Sequence, residues 1–193
     1  MTGVQTCALP ICFPVTIFRM ANIDFSTAQD FEYFDRVDCL ATNSVVTTPI
    51  LVQSSRVAPD SNFGSGKVSN PFLIKAVRMV MYIIGTTTGL TVQNVNDLIE
   101  AAMFSTVILS RGTEQIAQYQ TSAFFDAFPA VAEKGTAASL TGVMLKSKVV
   151  PYNSEVVLMP ADAVAGQVIM PAISGATTIV TGVALRGKLA KRG

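Results

Sequence analysis

The chain has 193 residues, the length of one domain; 50% of them are hydrophobic and only 14% are charged. It contains no histidine, which excludes serine–histidine and cysteine–histidine nucleophilic schemes and histidine-ligated metal sites. The 14 basic and 13 acidic residues nearly cancel, so the whole chain has no electrostatic preference for nucleic acid. We therefore expect a non-catalytic domain without a cofactor that covers its apolar surface with copies of itself. An ordinary monomer with an apolar surface is the alternative.

The N-terminal residues are predicted to lie outside the fold. Residues 2–11 resemble the translated read-through of a sequencing adapter, which makes Met20 the candidate native start. Residues 1–19 are interpreted as an artefact or untranslated leader that is disordered, and residues 20–193 as a single domain. A secretion signal is the alternative, but no Lys or Arg precedes the apolar stretch. Within 20–193 the sole cysteine is Cys39, which is predicted to be buried.

The first half of the domain predicts strands joined by polar loops. Residues 42–53 are rich in β-branched side chains, and Pro49 indicates an edge strand or a bulge. Residues 58–70 predict a loop rich in Gly, Ser and Asn. Residues 72–84 are apolar at both alternating sets of positions, which predicts a strand covered on both faces, at a sheet centre or a subunit contact. A turn at 85–89 ends this strand.

The second half predicts one helix and a series of short strands. Asn96 can cap a helix over residues 96–103. Three aromatic side chains, Phe124, Phe125 and Phe128, are predicted to join the core, and residues 130–141 to form a loop of small residues. The connection at 160–171 can hold one short strand. The predicted strands are 104–109 and 113–120, which form a hairpin around Arg111-Gly112, and 143–150, 155–159 and 177–189. About eight strands and one short helix predict an all-β sandwich or jelly roll.

Three features of the sequence are candidates for a chemical site or for a membrane span. Residues 62–67 (NFGSGK) lack the spacing of a phosphate loop and the Ser or Thr that must follow Lys67. Asp35 and Asp38 could ligate a cation, but without a calcium-loop pattern solvated carboxylates are favoured. Residues 163–185 are uncharged over a bilayer-spanning length, yet their glycines and Pro171 argue against a membrane helix. No catalytic, cofactor-binding or metal-binding residue is predicted.

Charge is unevenly distributed between the two ends of the domain. Acidic residues lie near the start, and the last eight residues contain four basic ones: Arg186, Lys188, Lys191 and Arg192. Two solvated termini are the simpler interpretation. In the alternative, the basic tail meets an acidic partner, which would be a neighbouring subunit, a lipid headgroup or packaged nucleic acid.

A family resemblance follows from the order of cues in residues 72–192. Asp97-Leu98 lies in a helical turn that leads into a strand, and Pro151, Asn153 and Ser154 form a turn that opens another. The chain closes on the pattern Val183, Leu185, Gly187, Leu189 and Arg192. This order resembles the jelly-roll capsid proteins of tailless, often membrane-containing bacteriophages.

The resemblance implies a single jelly roll and a structural role in the virion. The chain would be a small major capsid protein, assembled in the bacterial cytoplasm into an icosahedral shell with copies of itself or with a second capsid protein. The basic tail would face inward, toward membrane or genome. The alternative is a non-catalytic β-sandwich binding module for carbohydrate or a protein partner. The absence of Trp weakens the carbohydrate version, because sugar-binding surfaces usually present exposed aromatic platforms.

Overall fold

The structure is a computed structural model that describes residues 23, 25–52, 58–84, 90–125, 131–136, 139–173 and 177–191. Its strands are β1 (Gln29–Leu40), β2 (Val46–Ile50), β3 (Phe72–Ile84), β4 (Thr106–Arg111), β5 (Glu114–Gln120), β6 (Val131–Thr136), β7 (Ser139–Leu145), β8 (Val149–Pro151), β9 (Val157–Leu158), β10 (Val164–Met170) and β11 (Thr178–Leu189). A helix, α1 (Val92–Phe104), precedes β4, and a 3-10 turn (Thr121–Phe124) follows β5. The predicted leader, the turn at 85–89, Phe128 and Arg192 lie outside the described residues.

The strands form two antiparallel sheets. The larger sheet has the order β1-β11-β3-β7-β6, with β8 and β9 also paired to β3, and the smaller sheet has the order β2-β10-β4-β5. The pairing is nested along the chain: β1 with β11, β2 with β10, β3 with β7 to β9, and β4 with β5. This wrapping of one long antiparallel ribbon is the jelly roll, and the predicted all-β sandwich is confirmed.

Alternation of side chains along the strands builds one core between the sheets. In β3 the inward positions are fully buried, and they include Phe72, Met79 and Met81. Their neighbours on the other side of the strand are half-buried or exposed, as are Arg78 and Ile84. The predicted location of β3 at a sheet centre is therefore confirmed. Among the described residues no second layer covers the outer face of β3, because a two-layer sandwich gives each strand only one face on the core.

The helix begins earlier than the sequence predicted. Its cap is Thr91 and not Asn96: the Thr91 hydroxyl accepts a hydrogen bond from the Asn94 backbone N–H at 3.2 Å. The Asn94 side chain in turn accepts one from the Thr91 backbone N–H at 2.8 Å. This reciprocal capping box stabilises a start at Val92. The helix also continues through Phe104, which the prediction placed in the next strand.

Residues 130–141 are not the predicted loop, because they contain β6 and the start of β7, which pair as a hairpin. Their Ala, Gly and Ser content has low β propensity, so the local signal was weak. The partner strand decides the structure: β7 continues the larger sheet through the pair Tyr82↔Met144. In this region the larger sheet contains four short strands, β6 to β9. The described residues therefore form eleven strands, where about eight were predicted.

The first strand, β1, has 12 residues and was not predicted at all. Its residues include the acidic ones that were interpreted as a solvated terminus. Asp35 occupies an inward position between buried Tyr33 and half-buried Val37, which breaks the apolar alternation that marks a strand.

Three predictions about single residues of the core and the sheet edge are confirmed. Pro49 lies on β2, at an edge of the smaller sheet. Phe124 and Phe125 are buried. Cys39 is 1% exposed, and its burial raises the pKa of the thiol.

Candidate functional site

The outer face of the larger sheet pairs the predicted basic residues with acids of the same chain. Arg186 Nε lies 2.9 Å from Glu32 Oε2, and Lys188 Nζ lies 2.9 Å from Asp30 Oδ1. Both pairs are direct cross-strand neighbours of β1 and β11. The side chains of these basic residues are 51% and 39% exposed, so water screens both pairs. Sequence reasoning missed these partners because it did not recognise β1 as a strand.

The four residues of the predicted basic tail are therefore not one free cluster. Arg186 and Lys188 lie two positions apart on β11, each beside its carboxylate, and Lys191 is exposed just beyond the strand. Arg192 lies outside the described residues. An inward-facing role for this tail stays a prediction.

The two carboxylates considered as a cation site point to opposite sides of β1. Asp38 is exposed on the outer face, whereas Asp35 is buried on the inner one. Asp35 Oδ2 accepts a hydrogen bond from the Leu51 backbone N–H at 2.7 Å, where Leu51 has a positive φ of 55°. This hydrogen bond links the turn after β2 to β1. In the part of the chain that the structure describes, no group of three or more acidic or cysteine side chains is placed to hold a metal ion.

The polar loop before β3 lies along the outer edge of β1. The Asn62 side chain accepts a hydrogen bond from the Phe34 N–H at 2.7 Å and donates one to the Glu32 carbonyl at 2.8 Å. Its own backbone N–H donates to the Phe34 carbonyl at 3.1 Å. One asparagine therefore occupies three backbone groups of an edge strand, which shields that edge from another strand. Asn62, the first residue of the segment 62–67, therefore has a structural role, because it binds the backbone of β1.

A shallow groove follows β11 across the outer face of the larger sheet. The outward side chains of β11 are small here, at Gly182 and Ala184, whereas those of the flanking strands are large. A Cβ at Gly182 would lie 2.7 Å from Val80 Cγ2, so the neighbouring side chain already leans over the glycine. The middle of the groove is a depression of about 170 Å³, lined by Phe34, Arg36, Arg78, Val80 and their neighbours.

One end of this groove is apolar on β11, β3 and β7, and Asp38 on β1 borders it. Val180, Tyr82 and Met144 are successive cross-strand partners on β11, β3 and β7. Leu40 and Ile84 lie at the ends of their strands and are 49% and 67% exposed. The opposite end carries the Arg186 and Lys188 ion pairs, so apolar and charged surfaces lie at the two ends of one sheet face.

The outer face of the smaller sheet has a different composition. Its outward positions form three cross-strand rows: Thr47-Ile169-Thr106-Gln120, Pro49-Gln167-Ile108-Gln118, and Ala165-Ser110-Gln115. None of these eleven side chains is charged. Pro49, Gln167 and Gln118 are exposed, whereas Ile108 and Ile169 are half-buried. The sequence signal for this face was the polar, uncharged strand at 113–120, but the face emerges only once β10 is paired between β2 and β4.

Comparisons with known proteins complete the description. No helix in the described ranges combines the length and the hydropathy needed to cross a membrane. Comparison with protein-family models, with curated proteins and with solved structures gives no match. The resemblance to capsid proteins therefore stays a prediction that rests on the pattern of strands and turns.

Proposed function

We propose that this chain is a structural virion protein, a small major capsid protein that assembles into an icosahedral shell with copies of itself or with a second capsid protein. The observation that carries the proposal is the uncharged outer face of the smaller sheet. Burying a charged side chain against another subunit requires its desolvation, at several kcal/mol unless it is paired. A face of Thr, Gln, Ser, Ala, Pro and Ile avoids that cost.

The arrangement of side chains on this face fits a subunit contact. Ile108 and Ile169 lie on the two central strands, β4 and β10, and glutamines and threonines lie around them. Interfaces commonly have such a centre depleted of charge within a polar rim. The rim glutamines can exchange their hydrogen bonds with water for bonds across the interface.

The size of the face predicts weak pairwise contacts. Four strands about 4.8 Å apart and five to seven residues long cover roughly 400 Å² of plane. A stable complex usually buries about 800 Å² on each partner. One such contact would hold a dimer poorly, whereas a closed shell adds many contacts per subunit. The nested jelly roll also supports this role, since it presents both sheet faces and its connecting loops to neighbours.

A carbohydrate-binding module finds less support on this face. Sugar rings stack on exposed aromatic side chains, and none of the eleven outward positions of the smaller sheet is aromatic. The aromatic residue of β5, Tyr119, is half-buried and packs against the core.

The proposal is tested with the full chain, by light scattering over a concentration series and by negative-stain electron microscopy. We expect concentration-dependent association and rings, sheets or shells. Gln167→Glu adds a charge at the centre of the uncharged face with little change in shape, and we expect it to weaken association at least tenfold.

Gln29→Glu is the matched control, because it makes the same chemical change at an exposed position of β1 in the larger sheet. It is expected to leave association unchanged. A wild-type chain that stays monomeric at high concentration would contradict self-assembly. Equal effects of the two substitutions would contradict the assignment of the contact to the smaller sheet.

A further inference from the structure

Two arginines without a recorded ion pair lie at the centre of the outer face of the larger sheet. Arg186 and Lys188, which the sequence suggested for an acidic partner, are already paired with Glu32 and Asp30. Arg36 and Arg78 share the same outer face, and within the described residues the structure records no ion pair for either of them. Lys75 of β3 is also exposed without a recorded ion pair, but it lies beside Arg186 at the end that carries the ion pairs. The unpaired charge at the centre of the face is therefore that of the two arginines.

The two arginines flank one depression. Arg36 on β1 is the cross-strand partner of Gly182, and Arg78 on β3 is the partner of Ala184. The strands β1 and β3 lie on either side of β11, about 10 Å apart, so both guanidinium groups can reach a ligand above the small side chains of β11. Gly182 and Ala184 leave open the volume of about 170 Å³ between them.

Contacts with neighbouring residues orient the Arg36 side chain before a ligand binds. Its Cζ lies 5.9 Å from the centroid of the Phe34 ring, within the range of a cation–π contact. Its aliphatic stem packs over Gly182, where an added Cβ would lie 3.1 Å from Arg36 Cγ. These contacts restrict the side chain, which reduces the entropy lost when the guanidinium binds a ligand.

The surrounding charges select the kind of anion. Glu32 and the buried Asp35 line the same depression, and Asp38 and Asp60 line the adjoining part of the groove together with Arg36. A polyanion laid along the groove would meet these carboxylates. A single carboxylate between the two guanidinium groups would avoid Asp38 and Asp60. Of the two acids beside it, Glu32 is paired with Arg186, and Asp35 binds the Leu51 N–H on the inner face. Planar, two-oxygen acceptors match the paired N–H donors of arginine.

We propose that the depression between Arg36 and Arg78 is a binding site for a single carboxylate group carried on a short aliphatic stem. Val80 and Phe34 provide the apolar walls that such a stem would contact. The group can come from a free organic acid or from an Asp or Glu side chain of a neighbouring copy. The chemistry is the same in both cases, and the site does not depend on the proposed function.

The test follows the side-chain Nε–Hε signals of the arginines of the full chain by ¹H–¹⁵N NMR during a titration with butyrate, a monocarboxylate, at constant ionic strength. We expect saturable shifts of two arginine signals, each lost in one of the variants Arg36→Gln and Arg78→Gln. Each substitution should weaken butyrate binding at least tenfold. Arg111→Gln is the matched control, since Arg111 is paired with Glu114 beside the smaller sheet, and it should leave the affinity within twofold.

Shifts that do not saturate, or an equal loss in Arg111→Gln, would overturn the site. Tighter binding of inorganic phosphate or of a short oligonucleotide than of butyrate would overturn the choice of a carboxylate. The source of the group is then read from light scattering of the same variants. Weaker self-association of Arg36→Gln and Arg78→Gln assigns the carboxylate to a neighbouring copy, and unchanged self-association assigns it to a free acid.

Discussion

The two sheets share one core but turn different surfaces outward. The larger sheet carries ion pairs, two further arginines and an apolar end on its outer face. The smaller sheet carries eleven outward side chains without a charge. Because the core constrains only inward positions, the outward ones are free to reflect what each face meets. Charged side chains cost little free energy where water still hydrates them. An uncharged face can be covered by another subunit without that cost of desolvation.

The largest expected effect tests how tightly each sheet is packed. A Cβ at Gly187 in β11 would collide with the Leu73 backbone carbonyl, whereas at Gly166 in β10 it would lie 2.9 Å from Ile50 Cγ2 and 3.0 Å from the Ile50 carbonyl oxygen, a much smaller overlap. We expect Gly187→Ala to lower the free energy of unfolding by at least about 3 kcal/mol, because backbone must move. Gly166→Ala should lower it by about 1–2 kcal/mol. Urea unfolding measures both, and equal losses would remove this difference between the sheets.

A smaller effect separates the inner face of the larger sheet from its outer one. Burial raises the pKa of Cys39, so the thiol stays protonated in the folded chain at a pH where the unfolded chain has lost the proton. Stability is therefore full below about pH 8.5 and falls as the pH rises, by at most about 1.4 kcal/mol per pH unit.

The measurement is the free energy of unfolding of the wild type and of Cys39→Ala between pH 8 and pH 10. We expect a steeper fall for the wild type. The tyrosines contribute to both chains, since burial also raises the pKa of Tyr119 and of Tyr152. Parallel curves would show that Cys39 is not the group that titrates.

The smallest effect concerns the ion pairs of the outer face. Glu32→Gln removes the partner of Arg186, whose side chain is 51% exposed. We expect a loss of no more than about 0.5–1 kcal/mol in the free energy of unfolding, because water screens the pair. In 0.5 M NaCl the loss should shrink further. Asp30→Asn is the comparison, because Asp30 is 87% exposed and should matter less. A loss above 2 kcal/mol would show that the charged face is part of what holds the sheet together.

Strands with strong local signals could be predicted from sequence, and those set by their partners could not. The run at 72–84 became β3 with the same bounds, because its apolar density and the flanking Pro71 and Gly85 define it locally. The strand predicted at 177–189 became β11 with one residue of difference. By contrast, β1 was hidden by inward Asp35, a carboxylate that is buried only because it binds the turn at Leu51.

The candidate surfaces were harder to predict than the strands. Charge clustering in the sequence pointed to the C-terminal residues, but cross-strand pairing neutralises two of them. Arg36 and Arg78 are 42 positions apart in the sequence and come together only across β11. The uncharged face likewise combines β2, β4, β5 and β10. No local pattern encodes such surfaces, because they depend on which strands become neighbours.

The pairing of β1 with β11 also has a consequence for synthesis on the ribosome. Among the described strands, β11 is the only sheet neighbour of β1, and their pairing joins Gln29 to Leu189. A nascent chain therefore carries β1, with Tyr33 and Cys39 uncovered, until β11 has emerged from the exit tunnel. Long-range pairing of this kind also slows folding after release. We expect the growing polypeptide to recruit a chaperone at β1, and β1 to be covered only after β11 has been synthesised.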